Sequence, residues 1–170
     1  MDRVIVLNAD FTFLNIISWR RAVALVSKGK VEVLKYSDRV IRTIKGEIMK
    51  IPMVLKLVHL VRTIYKTKVP FSKKNIMVRD NFTCVYCGKH DIVAEGKLTI
   101  DHVMSKSHGG KSTWENCVTS CKSCNARKGQ RSCSEARMFV KKRPYAPTIS
   151  EFIKQKVKTL GLDHMLKDLM

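Results

Sequence analysis

Short β-branched runs separated by turn residues fill the first third of the chain. Val4 to Leu7 is a continuous apolar run with turn-prone Asn8 and Asp10 behind it, which predicts a strand. Ser18 precedes Trp19-Arg20-Arg21-Ala22-Val23-Ala24-Leu25-Val26, a capping residue followed by good helix formers, and Gly29 supplies the stop of a short helix. Lys30 to Tyr36, Arg39 to Ile44 and Ile48 to Leu57 alternate or cluster β-branched residues between the turn signals Ser37-Asp38 and Lys45-Gly46, so each reads as a small strand.

The pattern then changes. Residues 62 to 74 are polar and basic with Pro70 inside, which marks a connector, and Ser72 is placed to cap a brief helix through Arg79. Leu98 to Val103 reads as a strand, a second short strand runs through Val118, and a helix carries Asn125. Ser134 to Lys142 has helical character up to Pro144. Ile149 to Leu160 carries Ile149, Phe152, Ile153, Val157 and Leu160 at helical spacing, which predicts an amphipathic helix. The expected class is α+β, in three segments: a basic α+β module at 1–71, a compact core at 72–133 and a helical extension at 134–170.

Charge adds a partner to this picture. The 170 residues hold 33 Lys and Arg against 14 Asp and Glu, a net charge of +19. Basic surface gains free energy by releasing counterions condensed on phosphates, so a polyanion is the natural partner. The excess is concentrated early: residues 1–75 hold 16 basic side chains against 5 acidic ones. No apolar stretch approaches bilayer length and the N-terminus lacks the pattern of a signal peptide, so a cytoplasmic protein without membrane association is expected. In a reducing compartment six cysteines are metal ligands or buried thiols rather than disulfides.

Spacing decides among the cysteines. Cys84-x2-Cys87 and Cys121-x2-Cys124 are two knuckles whose four thiolates suit one tetrahedral Zn2+ in a closed structural site. Cys117 and Cys133 lack such a mate and read as a buried small residue and a free thiol. The knuckles are 33 residues apart, longer than the usual interval, and the insert holds the one stretch that looks catalytic. Leu98-Thr99-Ile100-Asp101-His102-Val103 delivers an acid and an imidazole to a strand end. Neighbouring strand residues point to opposite faces, so the two serve one site only if the strand bends or stops there. Ser107-His108-Gly109-Gly110, Asn116 and Asn125-Ala126-Arg127-Lys128-Gly129 follow. A zinc ribbon with a long, chemically idle loop is the plainer alternative.

The series Cys84-x2-Cys87, Asp101-His102, Asn116, Cys121-x2-Cys124-Asn125 and Lys128-Gly129 resembles the HNH endonuclease family over about residues 72 to 133. That resemblance implies a two-strand, one-helix core around a single divalent ion, with the family's H, N and H positions falling on His102, Asn116 and Asn125. The third is Asn instead of His, a variant the family contains. It further implies cleavage that leaves 5'-phosphate and 3'-hydroxyl ends.

Phosphodiester hydrolysis needs a base for the attacking water and a cation for the charge that grows on phosphate. His102 suits the base because imidazole titrates near neutrality. Asp101 and Asn125 offer hard oxygen ligands for Mg2+ or Mn2+. Asn116 is cast as a positioner of the loop backbone or of His102. Lys128, in the catalytic set, is also expected on phosphates with Lys122, Arg127 and Arg131, the alternative for each being a solvated basic face. His90 is expected at the surface beside the zinc site, and Trp114 in packing. The expected partner is DNA, with a homodimer required if one event cuts both strands. Two other readings stay open: an inactive zinc-dependent DNA-binding protein, and an RNA-directed nuclease.

Overall fold

The computed structural model describes residues 3–42, 46–62, 68–91 and 97–167. Its class is α+β, and the chain divides into two compact units, Met1–Thr67 with Thr148–Met170, and Lys68–Pro147. The segment expected as one C-terminal extension is therefore shared between the two: 134–147 belongs with the knuckles, and 148–170 with the N-terminal sheet.

The first unit is a four-stranded sheet in the order β2-β1-β4-β3, from β1 (Arg3–Leu7), β2 (Phe13–Ser18), β3 (Val31–Arg42) and β4 (Ile48–Leu57). β1 pairs antiparallel with β2 and parallel with β4, which pairs antiparallel with β3. Val4, Ile5, Val6 and Leu7 are all buried, so both faces of β1 are covered, and this explains a run that is continuously apolar instead of alternating. Helix α1 (Trp19–Ser27), capped by the Ser18 side chain, adds Ala22 to a core of Val4, Val6, Ile17, Val31 and Leu55. Helix α4 (Ile149–Thr159) opens on a Thr148–Glu151 capping box, packs on β2 and buries Phe152, Ile153 and Val157.

Two features of this unit depart from expectation. Strand β2 was not foreseen, because Asn15 interrupts its apolar run. The turn expected at Ser37-Asp38 is absent: β3 is one strand whose register shifts between Val33 and Val40, so the two polar residues are absorbed as irregularities in a continuous ladder. The end of the strand expected at Arg39 to Ile44, the turn residue Lys45 and connector residues 63–67 lie outside the described residues.

In the second unit Ser72 caps α2 (Lys73–Arg79) by accepting from the Asn75 N–H at 3.2 Å. Strands β5 (Leu98–His102) and β6 (Cys117–Cys121) form an antiparallel pair, and α3 (Lys122–Lys128) follows β6 directly. The helix expected over Ser134 to Lys142 does not form. Arg137 enters the left-handed region at φ 51, Met138 is buried, and the Lys141 N–H donates to the Val85 carbonyl, which ties this stretch to the first knuckle as irregular chain. The core here joins Cys84, Val85, Tyr86, Leu98, Val118, Cys121, Cys124 and Met138. Among the described residues no helix is long and apolar enough to cross a membrane.

Candidate active site and metal centre

The four knuckle cysteines converge. Their Sγ atoms all lie within 4.8 Å of one another, with Cys87 and Cys121 3.8 Å apart. Tetrahedral thiolates about 2.3 Å from a zinc ion are themselves about 3.8 Å apart, so the cluster fits Zn2+. Burial opposes ionisation of these thiols. Backbone N–H donors nonetheless draw Cys84 down, and Ser123 with the Cys124 N–H draws Cys121 down to about 6, while burial keeps Cys87 and Cys124 above the ordinary thiol value. A bound cation would replace the protons that burial keeps on Cys87 and Cys124, leaving four thiolates as its ligands. Cys121 is also the N-cap of α3, its sulfur accepting from the Cys124 N–H at 3.5 Å, so one ligand of the cluster fixes the first turn of the helix. Cys117 is buried and Cys133 half-buried, and both are free thiols.

Asp101 and His102 are the last two residues of β5, where alternation puts neighbouring side chains on opposite faces and the end of the strand releases the chain that follows. Asp101 turns inward and is 6 % exposed. Its Oδ2 accepts from the Tyr86 hydroxyl at 2.5 Å, and the Lys128 ammonium lies 3.3 Å from Oδ2 and 3.4 Å from Oδ1. Burial and the Asp101 carboxylate push the Tyr86 phenol far above its ordinary pKa, so it stays a donor. His102 turns to the loop side, where Nε2 is 2.9 Å from the Ser112 hydroxyl. Burial and the charge of Lys106 hold this imidazole below its ordinary pKa, Asp101 pulling upward and Lys128 downward, which favours the neutral ring.

Asn116 secures the loop between the strands. Its Oδ1 accepts from the Met104 N–H at 2.8 Å and its Nδ2 donates to the carbonyls of Met104 (3.1 Å) and Lys111 (2.9 Å). It makes no hydrogen bond to His102. The loop is closed tightly at Gly110, where a Cβ would stand 1.9 Å from the Met104 carbonyl oxygen.

Asn125 lies one turn before Lys128 on α3 and lines a shallow cleft with Thr99, Lys122 and Ala126. Thr99, which lines the cleft with Asn125, and Asp101 alternate onto the same face of β5, and no hydrogen bond joins Asp101 to Asn125. The Asn125 amide oxygen is a hard ligand of the kind Mg2+ accepts, whereas the Asp101 carboxylate is enclosed, its oxygens facing Tyr86 and Lys128.

The basic residues divide sharply. Lys122, Arg127 and Arg131 are exposed, with Arg131 folded back to donate to the carbonyls of Arg127 and Lys128 at the end of α3. Lys128 departs from the phosphate contact expected of it: it is 1 % exposed and donates to the His102 carbonyl at 2.7 Å, besides its pairing with Asp101. A side chain so enclosed reaches no phosphate at the surface.

Several participants went unforeseen. Tyr86 lies inside the first knuckle, where only the cysteines drew attention. Arg79 is buried and its fork grips Asp80, at 2.8 and 3.0 Å, while it donates to the carbonyls of Trp114, Cys117 and Tyr145; Asp80 in turn accepts from the Thr119 N–H. An Arg-Asp pair just ahead of a cysteine knuckle was the available signal. Trp114 packs edge-on against Phe71 at 5.7 Å and its Nε1 donates to the Val69 carbonyl, a packing role. His90 bridges to Thr83 across the first knuckle.

Comparison with known families gives two matches. Residues 4–65 match the family described as HNH endonuclease-associated, N-terminal domain, and residues 84–131 match the family described as HNH endonuclease. No curated protein and no solved structure gives a match.

Proposed function

The chain belongs to the HNH endonuclease family, and from that premise we propose that it hydrolyses DNA phosphodiester bonds with His102 as general base. The observation that carries this reading is that β5 ends at His102, so that an imidazole held neutral and a firmly held carboxylate meet at one strand terminus. A neutral imidazole accepts the proton of the attacking water, and its position at a loop, not in the core, gives a phosphate access to it.

Asp101 and Asn125 are the residues that hold the catalytic divalent ion, Mg2+ or Mn2+, which when bound neutralises charge on the scissile phosphate and the leaving oxygen. The Tyr86 hydroxyl and the Lys128 ammonium orient the Asp101 carboxylate. Asn116 keeps the loop around His102 in shape through its three backbone hydrogen bonds. The zinc cluster sets the start of α3 and so the position of Asn125. Exposed Lys122 and Arg127 face the backbone phosphates, Arg131 serving the end of α3, and the basic N-terminal unit adds further DNA contact.

One such site cuts one strand, leaving 5'-phosphate and 3'-hydroxyl ends, so a double-strand break takes a homodimer or two successive nicks. Supercoiled plasmid incubated with the zinc-loaded protein and Mg2+ should convert to nicked circles, and His102→Ala should abolish the conversion while retaining zinc and fold. Undiminished nicking by that variant would remove His102 from the role of base. Matched RNA and DNA substrates, compared in the same assay, should show cleavage of the DNA.

A further inference from the structure

A buried ammonium is paired with the carboxylate proposed above to hold the divalent ion. Lys128 is almost fully enclosed, its ammonium within 3.4 Å of both Asp101 oxygens and 2.7 Å from the His102 carbonyl. The pair Asp101 and Lys128 has no net charge, and the other donors of the group, Asn125 and Tyr86, are neutral. The cleft that Asn125 lines contains no carboxylate, its other lining residues being Thr99, Lys122 and Ala126.

Affinity for hard divalent cations follows the number of charged ligands, and repulsion between an ammonium and a nearby cation is weakly screened when the ammonium is buried. A site with no net negative charge holds Mg2+ or Mn2+ poorly by itself. A DNA phosphate brings what is missing, a negative charge and an oxygen ligand together. We propose that Lys128 acts as a built-in counter-charge that makes divalent-ion binding at Asp101 and Asn125 depend on the DNA phosphate. Ion and DNA then bind synergistically, and because coupling is reciprocal, the ion raises DNA affinity by the same factor that DNA raises ion affinity. The inference rests on the assignment of Asp101 and Asn125 as the ion's ligands.

The experiment uses the full zinc-loaded chain carrying His102→Ala, so that DNA is not cut, and follows bound Mn2+ by electron paramagnetic resonance. A mixed-sequence duplex, corrected for Mn2+ held by duplex alone, should raise the protein's Mn2+ affinity about tenfold or more. Adding Lys128→Met should raise DNA-free Mn2+ affinity by about tenfold or more and narrow the gap between the two conditions. Lys128→Gln, which keeps a donor for the His102 carbonyl, should do the same and stands in if the Met variant loses its fold. Equal Mn2+ affinity with and without duplex overturns the proposal, as does unchanged DNA-free affinity in a folded, zinc-containing Lys128 variant. Asp101→Asn separates the two levels of the argument: it should lose duplex-supported Mn2+ binding, and Mn2+ binding equal to that of Asp101 would show that the ligand assignment itself had failed.

Discussion

The Tyr86 hydroxyl donates to Oδ2 of Asp101 across 2.5 Å, and this one bond ties the interior of the first zinc knuckle to the end of the strand that carries the proposed chemistry. Both partners are buried, so the bond is unscreened, and its loss leaves a carboxylate oxygen to the Lys128 ammonium alone.

Tyr86→Phe removes that donor without changing the packing of the ring. Hydrogen bonds to charged groups contribute about 1.5–3 kcal/mol, so the second unit should lose about that much stability in urea. Plasmid nicking should fall about tenfold or more if the carboxylate's orientation matters to a charge-stabilised transition state. A variant with unchanged stability and rate would show that Tyr86 neither supports nor orients Asp101.

Zinc removal should act on one unit only. All four ligands lie within Lys68–Pro147, and one of them caps α3, so a strong chelator should unfold this unit while the sheet of the first unit persists. Calorimetry should then show one transition lost and one retained, and Zn2+, not Mg2+, should restore both the transition and nicking. Loss of both transitions together would contradict the separation.

Much of this architecture was legible along the chain, and the exceptions have physical causes. Knuckles, strand β5 and the Asp101–His102 end are local patterns, as are the caps at Ser18 and Ser72, so spacing alone located them. Strand β2 is not local in that sense: Phe13–Ser18 is a strand because β1 pairs with it, and nothing in a run broken by Asn15 says so. Likewise the Ser134–Lys142 stretch has helix formers, but the hydrogen bond from Lys141 to Val85 and burial of Met138 override their propensity. Lys128 shows the limit most clearly. A lysine in a basic motif reads as a phosphate contact, and its burial against Asp101 depends on where α3 lands on β5, which no spacing reveals.

The loop around His102 should be intolerant of small changes. Gly110→Ala places a methyl group 1.9 Å from a backbone oxygen, so the chain must shift, and Asn116→Ala removes three backbone hydrogen bonds at once. Neither residue belongs to the four-cysteine cluster. Both variants should keep stoichiometric zinc and lose nicking by about a hundredfold, since displacement of reacting groups by about 1 Å has effects of that size. Wild-type rates in Gly110→Ala would mean that the loop does not position His102.

Salt dependence should separate the lysines of α3. Lys122 is exposed beside the cleft that Asn125 lines, while Lys128 is enclosed by Asp101 and the His102 carbonyl. Only a side chain that meets phosphate releases counterions, so Lys122→Ala should lower the slope of log affinity against log salt by about 0.9 for one lost contact. In the same measurement, Lys128→Met should leave that slope unchanged, because the buried ammonium has no phosphate to neutralise. Filter binding or fluorescence anisotropy across a salt series, on the zinc-loaded protein with no other divalent cation added, measures both. A slope that falls equally for the two variants would place Lys128 at the DNA surface and contradict its burial against Asp101.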